Sequence, residues 1–170
     1  VQLSGTLRDE FGSPVAGAIV QLSSGGYVYT NAAGEYSFTV TPGNYALYVY
    51  GENLPGLPLH WNFYVPGVSL TADRVIDIAL PPTVSLTFKV QDPDGNPVTG
   101  AQIVNVYANN YSVDLGPDLP GAQGSSYMNG ESVTTDANGF GHFTAFSPVS
   151  DVSGVAVPNQ PGLSNAGFYI

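Results

Sequence analysis

The sequence predicts an all-β protein built from two tandem antiparallel β-sandwiches of immunoglobulin-like architecture. Short runs of residues alternate between apolar and polar, which is the pattern of half-buried strands. The 170 residues include 21 Gly and 14 Pro, so turns are frequent. No segment keeps the 3.6-residue period of a helix. With 43% apolar and 12% aromatic residues, the chain has enough apolar surface to form a core.

An internal repeat predicts the two modules. Residues 1–18 read VQLSGTLRDEFGSPVAGA and residues 84–101 read VSLTFKVQDPDGNPVTGA, with eight identities and no gap. The match resumes with TNAAG in the first copy and TDANG in the second, after a spacing that is 22 residues longer in the second. We therefore expect a first copy at residues 1–82 and a second copy at residues 83–170. An insertion falls at about residues 107–132.

Apolar alternation places the strands of each copy in order. The first strand of the first copy alternates at Leu3 and Leu7, and the corresponding strand of the second copy carries Val84, Leu86, Phe88 and Val90 on one face. Two further strands flank a Thr-Pro-Gly-Asn turn, with the apolar residues Tyr36, Phe38, Val40, Tyr45, Leu47 and Val49. About seven short strands are expected in each copy. The insertion is rich in Gly, Asn, Ser and Pro without periodicity, which predicts a long surface loop.

The second copy lacks its last strand. Residues 68–80 close the first copy with Val75, Ile76, Ile78 and Leu80, and the stiff pair Pro81-Pro82 follows. No counterpart follows Ile170, so one sheet of the second copy should have an open edge. Three explanations remain open: the chain is part of a longer array, another segment fills the gap, or a neighbouring subunit donates a strand.

Composition excludes several classes of partner. Three basic residues against 13 acidic ones give a net charge of −10, which repels nucleic acid and anionic lipid. The sequence predicts neither a transmembrane helix nor a retained signal peptide, so membrane insertion is not expected. The absence of cysteine excludes disulfides and thiolate metal sites.

Three motifs in order resemble the carboxypeptidase regulatory-like domain, a prealbumin-like (transthyretin-like) sandwich. They are D-x-x-G-x-P-V-x-G-A, T-[ND]-A-x-G-x-[YG]-x-F and P-G-x-Y-x-L-x-V. The first copy carries all three, at residues 9–18, 30–38 and 42–49, and the second copy carries the first two. The resemblance implies a non-catalytic module at the cell surface or outside the cell, often in tandem arrays attached to enzymes or adhesins. It also implies kinship with carbohydrate-binding-like domains, although fold alone does not establish function.

No constellation of residues predicts catalysis, a metal site or a cofactor. The histidines His60 and His142 have no nucleophilic serine motif or second metal ligand near them in sequence. Residues 92–96 resemble the start of a calcium loop, but Pro97 and Ile103 stand where glycine and a bidentate acid are required. We therefore interpret residues 92–96 as a turn, and the chain as not an enzyme.

Two positions are candidates for covalent modification. The fold resembles collagen-adhesin B-type sandwiches, which can carry a Lys-Asn or Lys-Asp isopeptide bond. Lys89, the one lysine, is predicted on the exposed face of its strand, where its amine lacks the desolvation that would make it nucleophilic. Asn110 begins an Asn-Tyr-Ser glycosylation sequon within the insertion.

Aromatic residues are the candidates for ligand binding. Tyr48 and Tyr50 should face outward as neighbours on one strand, about 7 Å apart. Together with Trp61, they could form a platform on which a sugar ring stacks. The alternative is that the tyrosines cover a sheet face and that Trp61 lies in the core.

The sequence thus predicts a non-catalytic, extracellular or cell-surface structural or adhesive module. It would be a rod-like spacer, or the repeat unit of a filament with strand donation between subunits. Its partners would be neighbouring copies of the same module or the rest of a longer chain, without a cofactor. The alternative is a carbohydrate-binding module attached to a secreted enzyme, with polysaccharide as its partner.

Overall fold

The computed structural model describes residues 1–170 and contains strands without any helix, so it has no helical membrane span. The strands of the first copy are β1 (Gln2–Arg8), β2 (Ile19–Leu22), β3 (Gly26–Tyr29), β4 (Glu35–Thr39), β5 (Gly43–Glu52), β6 (His60–Leu70), β7 (Arg74–Val75) and β8 (Ile78–Ala79). Those of the second copy are β9 (Thr83–Lys89), β10 (Gln102–Val113), β11 (Ala122–Tyr127), β12 (Ser132–Thr134), β13 (Phe140–Phe146), β14 (Asp151–Val157) and β15 (Ala166–Tyr169). The predicted all-β class is confirmed.

Strand pairing repeats between the two copies. In the first copy β4 pairs with β1, and β3, β2, β5 and β6 pair in that order. In the second copy β13 pairs with β9, and β12, β10, β14 and β15 pair through corresponding contacts. All of these pairs are antiparallel. The repeat seen in the sequence is therefore also a repeat of topology.

The closing strand distinguishes the copies. In the first copy β7 and β8 both pair in parallel with β1, with Leu3 opposite Arg74 and Leu7 opposite Ile78. Their segment buries Ile76, Ile78 and Leu80 in the core. In the second copy β9 pairs only with β13, so the side of β9 that corresponds to this pairing has no strand.

The insertion is a β-hairpin, and the expectation of a surface loop was wrong. β10 continues through the insertion to Val113, and β11 returns beside it. The sequence pattern fails because polar residues of the hairpin face inward, where Asn110 and Ser126 bond to backbone groups of Phe146. The Asn110 amide donates to the Phe146 carbonyl at 3.0 Å, and the Ser126 hydroxyl accepts from the Phe146 N–H at 3.0 Å.

The hairpin joins the two copies. β11 pairs antiparallel with β6, so one nine-stranded sheet runs through both copies from β15 to β3. The larger hydrophobic cluster contains 24 buried residues and includes Leu115, Leu119 and Phe146 from the second copy. A separate cluster of seven buried residues belongs to the second copy alone. The copies are therefore connected by a shared sheet and a shared core as well as by Pro81-Pro82.

Candidate functional site

The free edge of β9 is the main unpaired feature of the structure. The Val90 N–H donates to the Gly139 carbonyl at 2.8 Å, and the register continues with Phe88 opposite Gly141. In an antiparallel pair, hydrogen-bonded residues alternate along each strand. Ser85, Thr87 and Lys89 therefore direct their backbone N–H and C=O groups away from β13. These groups form a row that can bond to another strand.

A groove lies along this edge, and we call it the β9 groove. It has a volume of about 330 Å³ and lies between β9 and β15, lined by Thr87, Phe88, Lys89, Val90, Gln91, Ala156, Phe168 and Ile170 among others. At its floor the ring centroids of Phe88 and Phe168 are 5.2 Å apart. A neighbouring cavity of about 530 Å³ continues past Val90 and Gln91 to Asp92 and Pro93. The groove thus combines an apolar floor with an unpaired backbone.

Lys89 lies on the rim of the β9 groove. Its side chain is exposed, as the alternation along β9 predicts, and Nζ lies 5.5 Å from the centre of the Phe140 ring. The Lys89 amine is therefore in solvent, where it can form an ion pair.

Trp61 does not belong to a surface platform, which corrects the predicted sugar site. Tyr48 and Tyr50 face outward from β5 as expected. Trp61 is 0% exposed and packs against Phe63 and Phe146, with ring centroids 6.1 and 5.5 Å apart. Because side chains alternate along β6, Trp61 and Phe63 point into the core. The three predicted side chains do not converge.

The outer face of the shared sheet is rich in tyrosine. Gln21 of β2 is opposite both Tyr27 and Tyr48, and Tyr48 is opposite Tyr64. The rings of Tyr48 and Tyr64 are 5.1 Å apart. The outward tyrosines of β3, β5, β6, β10 and β11 are Tyr27, Tyr29, Tyr48, Tyr50, Tyr64, Tyr107, Tyr111 and Tyr127. Sequence reasoning identified only the pair on β5, because cross-strand neighbours depend on the register of the sheet.

A concave part of this face forms a site that we call the tyrosine cleft. It has a volume of about 440 Å³, and its lining includes Tyr29, Tyr50, Glu52, His60 and Tyr127. The His60 ring stacks on Tyr127 with centroids 5.5 Å apart. Burial raises the pKa of the Tyr50 phenol, with the neighbouring tyrosines contributing further. Aromatic faces and polar groups therefore share one concavity.

His60 is held by a carboxylate rather than exposed for chemistry. Its Nε2 lies 2.9 Å from Oε1 of Glu131, and its side chain is buried. The hydrogen bond from His60 holds the pKa of the Glu131 carboxyl below its ordinary value. The other histidine, His142, lies exposed on β13, where its Nδ1 is 3.1 Å from the Thr87 hydroxyl.

Asn110 is not an accessible glycosylation site in this fold. Its side chain is 0% exposed, and its amide donates to the Phe146 carbonyl inside the sandwich. A glycan on this nitrogen would remove that hydrogen bond and displace the core. The predicted sequon is therefore corrected to a structural asparagine.

The residues that resemble a calcium loop form a turn. The Asp92 carboxylate accepts hydrogen bonds from the N–H groups of Asp94 and Asn96, at 3.0 and 2.8 Å. These bonds, with one from the Asn96 side chain, lower the pKa of Asp92. The structure contains no group of three side chains placed to hold a metal.

The fold is a β-sandwich with a parallel closing strand in its first copy, and comparison with known families agrees with that architecture. Residues 2–79 match the family model of the carboxypeptidase regulatory-like domain. The first copy is therefore similar to carboxypeptidase regulatory-like domains. The matched segment ends before the second copy begins.

Solved structures with weak similarity include two pilins. A streptococcal ancillary pilin has 16% identity and a TM-score of 0.39, with 100% of this chain and 58% of that chain covered. The shaft pilin SpaA from Lactobacillus rhamnosus GG has 11% identity and a TM-score of 0.38, with 98% and 92% covered. This chain thus spans 58% of the length of the ancillary pilin. No curated protein matches the sequence.

Proposed function

We propose that this chain is a non-catalytic structural or adhesive subunit of an extracellular rod or filament, in which a strand from a neighbouring subunit pairs with β9. The observation that carries this proposal is the uncovered edge of β9. The corresponding edge of β1 is covered by β7 and β8. The outer edge of β9 therefore has room for a strand, and no strand of residues 1–170 covers it.

An open edge of this kind favours association. β9 is seven residues long, contains no proline, and carries one charged side chain, Lys89. Natural sheets usually protect edges with prolines, several charges or bulges. Strand addition would satisfy the free backbone groups of β9 and bury the apolar floor of the groove.

The junction between the copies supports a rigid rod. We propose that residues 1–82 and 83–170 act as two modules held in one orientation by the ladder between β6 and β11. Polar contacts reinforce the junction. Arg74 pairs with Asp118 at 2.7 Å, and the Thr83 N–H donates to Glu10 at 3.0 Å. A backbone ladder resists bending more than a flexible linker does.

Electron microscopy with light scattering tests this proposal on the purified chain. We expect regular filaments or ordered oligomers whose mass grows with concentration. A monodisperse monomer at every concentration would contradict a filament subunit and would favour the carbohydrate-binding alternative.

The second candidate function is a carbohydrate-binding module attached to a secreted enzyme, with polysaccharide as the ligand. The tyrosine cleft supports it, because Tyr29, Tyr50 and Tyr127 line the cleft beside the polar groups of His60 and Glu52. Sugar rings pack against aromatic faces while their hydroxyls bond to such polar groups. Tyr48, exposed on the same face, lies outside the residues that line the cleft.

A glycan array tests this candidate with matched variants. Tyr50→Ala and Tyr127→Ala should each weaken binding about tenfold, because each removes a stacking face. Tyr48→Ala is the control, since Tyr48 is exposed on the same sheet but is not among the lining residues. Buried Trp61 makes tryptophan fluorescence a poor reporter. No glycan bound by the parent chain, or equal loss in all three variants, would reject the cleft.

A further inference from the structure

We infer that the β9 groove accepts one uninterrupted extended segment of a neighbouring subunit, running parallel to β9, apolar at alternate positions and acidic beside Lys89. This inference rests on the proposed function, because it describes the strand that the neighbouring subunit would supply. The filled groove of the first copy provides the template for each of these features.

The direction of the segment follows from β1. The Ile76 N–H donates to the Ser4 carbonyl and the Leu80 N–H to the Arg8 carbonyl, both at 2.8 Å, in a parallel pairing. Ser4 and Arg8 align in the repeat with Thr87 and Gln91. These two residues line the β9 groove. The same backbone geometry therefore offers the same acceptors to a parallel strand.

The apolar pattern follows from what the closing segment buries. Ile76, Ile78 and Leu80 are 0 to 3% exposed beneath β1. In the second copy the floor of the β9 groove is only partly covered, because Phe88 and Phe168, which line it, are only partly buried. Apolar side chains at alternate positions of an added strand would point to this floor, while the others would face solvent.

The acidic position follows from Asp77. Its Oδ1 accepts hydrogen bonds from the N–H and the hydroxyl of Thr6, both at 2.9 Å. Thr6 aligns with Lys89, the only lysine or arginine in residues 83–170. Because neighbouring side chains of parallel strands lie on the same face, a carboxylate at the corresponding place on the added segment would lie beside the ammonium group of Lys89.

The segment differs from the first copy's own closing segment in one respect. The chain bulges between β7 and β8. The carbonyl oxygen of Ile76 would lie 1.8 Å from a Cβ placed on Gly5. Tyr36 Oη donates a hydrogen bond to the same oxygen at 2.6 Å. In the second copy Phe88 replaces Gly5 and Gly141 replaces Tyr36. Phe88 leaves no room for such a bulge. The strand that fills this groove is therefore regular.

A synthetic peptide of sequence SVTVDVTVS tests the inference in trans. We expect NMR titration of the whole chain to shift the amide signals of Ser85, Thr87 and Lys89. A nitroxide label at the peptide N-terminus should broaden the signals near Thr83 more than those near Gln91, because the strands are parallel. Stronger broadening near Gln91 would overturn the parallel orientation.

Two proline variants form a matched pair. Thr87→Pro removes an N–H from the open edge and should weaken peptide binding by about tenfold or more. Thr144→Pro places the same residue on β13, where the N–H of Thr144 points away from β9 by the same alternation. It should leave binding unchanged. Equal loss in both variants would overturn the assignment to the β9 edge.

A charge exchange tests the groove without proline. Lys89→Glu should weaken binding of the peptide, and a second peptide with lysine in place of aspartate should recover it. Failure of this recovery would overturn the acidic position.

A peptide that binds at β9 while the chain forms no filaments would leave the groove inference standing and reject the filament. Filaments that form although neither peptide binds and Thr87→Pro changes nothing would reject strand addition at β9 and leave only the filament itself standing.

Discussion

Gly5 shows how one residue can decide where a strand fits. The closing segment of the first copy approaches β1 so closely that the Ile76 carbonyl occupies the place of a side chain at Gly5. The repeat aligns Gly5 of the first copy with Phe88 of the second. Only the structure shows that this difference changes which strand the groove of each copy can hold.

Gly5→Ala should destabilise the first copy. We expect the free energy of unfolding to fall by about 2–3 kcal/mol, because the added Cβ forces the closing segment away from β1. Urea denaturation measures the change. Gly43→Ala is the control, because its Cβ would meet Tyr45 at an ordinary 3.5 Å. Equal effects of the two substitutions would contradict this packing.

The Glu131 carboxylate makes stability depend on pH. Because the folded-state pKa of Glu131 lies below 4.5, its contribution is complete above pH 4.5 and is lost as the pH falls through the lowered value. The thermal midpoint of Glu131→Gln should therefore be lower than that of the parent at pH 7, and the difference should shrink toward pH 3. A difference that is constant with pH would contradict the role of the charge.

Two side chains show where the alternation pattern was sufficient and where it was not. Trp61, Phe63 and Val65 alternate with polar residues, so the inward direction of Trp61 was visible in the sequence. Asn110 gave no such signal, because its burial depends on acceptors that lie 36 and 38 residues away in the chain. Long-range hydrogen bonds of this kind do not follow from local periodicity.

At the scale of elements, the sequence predicted the strands of the repeat but not the hairpin of the insertion. The repeated strands combine apolar alternation with turn residues, and both signals are local. The hairpin instead buries small and polar residues such as Ala122 and Ser126 against β6 and β13. Its pairing with β6 brings together residues about 60 positions apart, for which the sequence carries no periodic signal.

Leu119→Ala tests whether the insertion belongs to the larger core. Leu119 is 0% exposed in the cluster of the first copy, so its truncation should cost about 2–5 kcal/mol of unfolding free energy. Val75→Ala, at a position that is 66% exposed, should change stability by no more than about 0.5 kcal/mol. Chemical denaturation measures the unfolding free energy of both variants. A neutral Leu119→Ala would mean that the insertion is a surface loop.

At the scale of the whole molecule, the two copies share one nine-stranded sheet, and β1 and β9 belong to two smaller sheets. The outer edge of β1 is covered by β7 and β8, whereas the corresponding edge of β9 is uncovered. The uncovered edge of β9 was predictable, because alignment of the two copies shows no counterpart of β7 and β8 within residues 83–170. The shared sheet was not, because it depends on how the copies pack together. We interpret the uncovered edge of β9 as the point where the next subunit joins.

Hydrogen exchange at β9 tests this central claim most directly. The amides of Thr87 and Lys89 should exchange rapidly at dilutions where light scattering gives a monomer, since they have no strand partner. In the assembled state the same amides should become strongly protected, while those of exposed turns such as Ala32 stay fast. Assembly that leaves Thr87 and Lys89 as unprotected as in the monomer would contradict strand donation at β9.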